Sequence, residues 1–147
     1  MMQRRHLIAV LAGLPVSLHA QGEAELVLVV GVGSGLQSLT RGQAVGYFTG
    51  RLRSLPNGEL AVPLDLPSGH PVRERFYRLL TGLGPPQMNS YWARLAFSGQ
   101  TQPPQVMDSE AALVRSLRDN PRSIGYLPRA QLDDRLRVLL AVTRAEA

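Results

Sequence analysis

The chain has 147 residues, 16 basic and 11 acidic, no cysteine and no lysine, so every basic residue is arginine. This length bounds the chain to about one domain, and the missing cysteine excludes disulfides, thiolate metal sites and a lipidated N-terminal cysteine. A formal charge of +5 without a basic run, and with 5% aromatics, excludes an electrostatic case for nucleic acid while leaving room for a small anion.

Residues 1–20 read as a secretory signal peptide. Arg4 and Arg5 make a positive n-region, residues 7–18 (LIAVLAGLPVSL) an apolar stretch, and Ala20 a small residue before the cut. The alternative is a buried N-terminal helix, but the segment has no polar face. Both Sec and Tat export stay open. On this reading residues 21–147 form one periplasmic domain with no further membrane insertion.

Residues 26–32 (LVLVVGV) form an apolar, β-branched run suited to a strand buried on both faces. Gly31-Val32-Gly33-Ser34-Gly35 has a dinucleotide-loop look, but its third glycine comes one residue early and no helix opens behind it, so turn glycines are the better account. Ser34 lacks nucleophile-elbow spacing because position 32 is valine. Thr40 caps a helix over 41–49, with Gly50 its stop. After the Pro56-Asn57-Gly58 turn, residues 60–65 (LAVPLD) predict a strand, which Pro63 places at an edge or strand end.

The spacing of Val72, Phe76, Leu79 and Leu80 predicts an amphipathic helix, opened by Pro71 and stopped by Gly82. Pro85-Pro86 opens another with Met88, Trp92, Leu95 and Ala96 on one stripe and Gly99 at its end. A short strand at Val106-Met107 follows. Asp108 or Ser109 then caps a helix carrying Ala112, Leu113 and Leu117, stopped at Asn120-Pro121. Residues 123–127 and 136–142 close the domain as strands. Strands alternating with helices predict an α/β fold with a largely parallel sheet.

Enzymatic signatures are missing: a Walker A loop needs lysine, and beyond the signal His70 is the only histidine. Asp133-Asp134 beside Arg135 fits a solvated turn. We therefore expect no catalytic residues, no metal site and no cofactor. One constellation remains. Ser68, Gly69 and His70 run into a helix with Arg73 on its first turn, and helix-start N–H groups with hydroxyl, imidazole and guanidinium donors suit a small anion. The plainer alternative is a helix cap with Arg73 in water.

The order of these features resembles the phosphate-binding proteins of bacterial ABC transporters. The likeness rests on the strand LVLVV, on SLTRGQAVGYFTGR and LAVPLDLPSGHPVRERFY, then on SYWARLAFSGQ and SEAALVRSLRDNPRSIGYLP, spanning about residues 26–142. It is similar to the short members, about one lobe of a type II periplasmic binding protein. Larger members carry Ser-Gly-Thr-Arg, an acidic residue, any residue and Phe at the ligand loop. Aligning on Arg73, Glu74 and Phe76 puts His70-Pro71-Val72 at Ser-Gly-Thr; aligning on Ser68-Gly69 puts His70 at the threonine and Pro71 at the arginine. The resemblance implies phosphate or another small anion as ligand, bound by Ser68, Gly69, His70 and Arg73, with a membrane transporter or sensor protein as partner. The other reading is a protein-interaction or sensory module of the same fold without ligand.

Overall fold

A computed structural model describes residues 24–144; the expected signal over 1–20 lies outside them. Five strands form one sheet: β1 (Leu26–Gly31), β2 (Val62–Asp65), β3 (Gln105–Val106), β4 (Ser123–Pro128) and β5 (Leu136–Val142), in the order β3-β2-β4-β1-β5. Four helices intervene: α1 (Arg41–Phe48), α2 (Pro71–Thr81), α3 (Pro85–Ser98) and α4 (Glu110–Asp119). The expected α/β class holds, but the sheet is mixed. β2 pairs parallel with β3 and β4, whereas β1 pairs antiparallel with β4 and with β5. Four of the five strands, β2, β3, β4 and β5, therefore point one way, as expected of a largely parallel sheet, and β1 alone runs against them. β4 and β5 flank β1 and both oppose its direction, so they run parallel to one another, and residues 129–135 cross over between them from the Glu25 end of β1 to its Val32 end.

β1 is buried along its whole length because it lies inside the sheet with helices over both faces. Adjacent residues of β4 show those faces. A Cβ on Gly125 would meet Leu113 and Leu117 of α4, whereas Tyr126 lies against Phe48 of α1 and Phe76 of α2. Strand alternation therefore sets α4 on one face and α1 with α2 on the other. Gly31 has a packing duty: its Cβ would fall 2.2 Å from the Leu117 carbonyl oxygen, so only glycine lets α4 sit this close.

The helix ends follow their residues. Thr40 accepts from the Gln43 N–H while the Gln43 side chain accepts from the Thr40 N–H, a complete capping box. Of the two candidates before α4, Ser109 is the cap, accepting from the Ala112 N–H at 3.1 Å. Gly82 and Gly99 end α2 and α3 in the left-handed region, at φ 76° and 66°. Phe76, Leu80, Trp92, Leu113 and Leu117 are buried as their stripes require, while Leu95 is half-buried on the more exposed α3. Among the described residues no helix is long and apolar enough to cross a membrane.

Candidate functional site

β2, β3 and β4 run parallel, so their carboxyl ends share one edge of the sheet, where ligands of open α/β sheets commonly bind. The chain leaves β2 at Asp65, turns through Pro67–His70 and enters α2. The His70 N–H donates to the Pro67 carbonyl at 3.0 Å, and Gly69 takes φ 87°, as the third residue of a type II turn must. His70 is the N-cap of α2: its Nδ1 accepts from the Val72 N–H at 3.2 Å, leaving Nε2 as the ring's donor. Ser68 and Gly69 are exposed and His70 is half-buried. These three stand together at the helix start, as the sequence suggested.

Arg73 lies elsewhere than in water. It is 8% exposed, and its Nε donates to Asp65 Oδ2 at 3.2 Å. Its guanidinium carbon sits 5.0 Å from the Tyr77 ring centroid, a cation–π contact. Asp65, 2% exposed, is saturated with donors. Oδ2 also accepts from the Tyr77 hydroxyl at 2.8 Å, while Oδ1 accepts from the Tyr126 hydroxyl at 2.5 Å and the Leu66 N–H at 2.9 Å. A buried carboxylate needs such partners, and this one ties β2, α2 and β4 together. Burial, and then the Asp65 charge, push the Tyr77 and Tyr126 hydroxyls well above the usual tyrosine range. No protein acceptor among the described residues takes the two terminal nitrogens of Arg73.

Asp65, Tyr77 and Tyr126 are not among the residues expected at the site; in sequence Asp65 only closes the strand over 60–65. A usable signal was present: an acidic residue closing the apolar run LAVPLD must find a cation, and Arg73 follows eight positions later. The other residues weighed have structural duties. Ser34 is buried and its Oγ accepts from the Leu36 N–H at 3.2 Å. Asp133 accepts from the Arg118 guanidinium and from the Arg135 N–H in a turn, and Asp134 is exposed.

No family model matches the sequence, and no curated protein matches it. Solved structures do match. An ABC-type phosphate transport receptor from Vibrio cholerae superposes with a TM-score of 0.62 at 15% identity, over 79% of this chain and 45% of the receptor. A putative phosphate ABC transporter substrate-binding protein with bound phosphate, from Clostridium perfringens, gives 0.63 at 15% identity over 79% and 44%. PstS from Borrelia burgdorferi gives 0.58 at 12% identity over 84% and 49%. The chain thus spans less than half the length of these proteins. Its fold is that of phosphate ABC transporter substrate-binding proteins, in an extent equal to about one lobe.

Proposed function

We propose that this chain is a non-catalytic, exported receptor-type domain that takes phosphate or a similar small oxyanion at the start of α2, in uptake or sensing. The observation that carries the reading is the state of Arg73: its Nε is fixed by Asp65, while no acceptor among the described residues takes its terminal nitrogens. A guanidinium fixed in this way keeps donors for an oxyanion and loses little freedom on binding it. Ser68, the Gly69 N–H and His70 Nε2 add donors at the helix's positive end.

Magnitudes make this a weak site. Charge-assisted hydrogen bonds contribute about 1.5–3 kcal/mol each and the helix end about 0.3–1 kcal/mol. Lost ligand freedom and desolvation oppose them. Affinity near a millimolar, about −4 kcal/mol, is what such an open edge supports. Calorimetric titration with phosphate and sulfate at low and high salt tests the reading. Wild type should bind weakly and lose affinity with salt, and Ser68→Ala with His70→Ala should bind less.

A second reading has its own support. Asp65 already neutralises Arg73, and the Val72 N–H is occupied by His70. Both favour a protein-interaction or sensory module without ligand, and the absence of any heat or spectral change with either anion would select it. On either reading residues 1–20 act as the export signal. An exported protein whose intact mass begins at Gln21 supports this, and one beginning at Met1 contradicts it.

A further inference from the structure

At the opposite end of the sheet, where β1 finishes and β2 starts, the loop after β1 borders a cavity of about 250 Å³ lined also by Leu55, Pro56, Asn57, Glu59 and Pro121. Gly33 and Gly35 line it, and the fold requires glycine at neither position. Both have ordinary negative φ, and a Cβ on either would meet nothing within 4 Å. Glycine in such a place costs conformational entropy that alanine would not. What side chains at 33 and 35 would do is project into free space beside the cavity.

The backbone there is also oriented. Arg137 donates from Nη1 to the carbonyls of Ser34 at 3.1 Å and Leu36 at 2.9 Å, and from Nη2 to that of Val32 at 3.4 Å. All peptide bonds described are trans, so each N–H points opposite to the carbonyl before it. With the Val32 and Ser34 carbonyls turned to Arg137, the N–H groups of Gly33 and Gly35 point away from it. Neither has an acceptor among the described residues. Two N–H groups without a protein acceptor, on residues that line the cavity, are donors that a carboxylate or carbonyl oxygen can accept from. Glu59, which also lines the cavity, is exposed, and its carboxylate suits a cationic donor; Asn57 donates an Nδ2–H to its Oε2 at 3.3 Å. Leu36 and Leu55, both buried, supply an apolar floor.

We propose that this cavity binds a small zwitterionic ligand of the α-amino acid class: carboxylate on the Gly33 and Gly35 N–H groups, ammonium on Glu59, short apolar side chain over Leu36 and Leu55. The volume lies below the range of about 300–1,000 Å³ usual for drug-sized ligands, which restricts the occupant to a molecule of that size. The site shares no residue with the α2 loop, and it stands or falls independently of phosphate binding.

The test is an amide NMR titration of the whole chain with L-leucine, beside isovalerate, which lacks the ammonium group. L-Leucine should shift the Gly33 and Gly35 amides, and isovalerate should bind at least about tenfold more weakly. Gly35→Val should weaken L-leucine binding at least about tenfold while melting at or above the wild-type temperature. Glu59→Gln, at an exposed position, should weaken L-leucine binding without changing stability. Unshifted Gly33 and Gly35 amides at about 20 mM L-leucine overturn the proposal. So do wild-type affinity in Gly35→Val or Glu59→Gln, equal binding of isovalerate, and a Gly35→Val chain that fails to fold, since the argument requires that the fold can spare that glycine.

Discussion

Replacing Arg73 by methionine, with no anion present, measures its structural duty toward Asp65. Methionine keeps much of the length and apolar stem, so the change removes chiefly the charge and the Nε donor. Asp65 would remain 2% exposed, keeping the Leu66 N–H and the Tyr77 and Tyr126 hydroxyls but no cation. Removing one member of a buried ion pair costs about 3–5 kcal/mol, because the other charge stays in a poorly solvating interior. Three remaining donors solvate Asp65 well, which argues for the lower end, about 3 kcal/mol. With a urea slope of about 2 kcal/mol per molar, the unfolding midpoint should fall by about 1.5 M at neutral pH. Arg73→Met, Asp65→Asn and the double variant then form a cycle whose coupling should exceed about 1 kcal/mol. A midpoint within about 0.2 M of wild type would refute the claim that this pair holds β2 to α2.

Phe76→Ala removes a fully buried ring stacked on Tyr126 at 3.8 Å between centroids and edge-on to Phe48 at 4.9 Å, so it should cost about 3–5 kcal/mol; an unchanged melting curve would contradict the packing between α2 and the sheet. Stability should also fall in alkali. Tyr77 and Tyr126 hold their protons in the folded state beyond the unfolded value of about 10, so above that pH the unfolded chain binds fewer protons and is favoured. Their contribution is complete below about pH 10 and is lost as pH rises toward the folded values. Melting temperatures at about pH 8 and pH 11 check the sign, and Tyr126→Phe should flatten the fall.

What sequence could show was local. Thr40, Ser109, Gly82 and Gly99 announced helix ends because a cap is a bond or a backbone conformation within a few residues of the signal. Phe76 and Leu80 were legible for the same reason, as helical spacing fixes a face. Sheet order was not: that β4 lies between β1 and β2, antiparallel to one and parallel to the other, depends on pairings between distant segments that no local pattern encodes. The site divides along the same line. Ser68, Gly69 and His70 are a sequence-local turn and cap, and they stand where expected. Arg73 was also placed correctly on the first turn, but its environment depends on Asp65 eight residues before it and on Tyr126, whose hydroxyl reaches Asp65 across 61 positions. Spacing within α2 could not reveal a partner lying outside it.

The central claim is that the opening of α2 receives an oxyanion on donors the fold leaves available. Its most direct measurement is an NMR titration of the wild-type chain with inorganic phosphate at low salt, following the amides of Ser68 and Gly69 and the Arg73 Nε–H together. All three should shift along one curve with a dissociation constant of about 1 mM, and the shifts should shrink as salt rises. If those three signals stay fixed at about 20 mM phosphate, or if a proven monomer binds at micromolar concentration, the open-edge account is wrong.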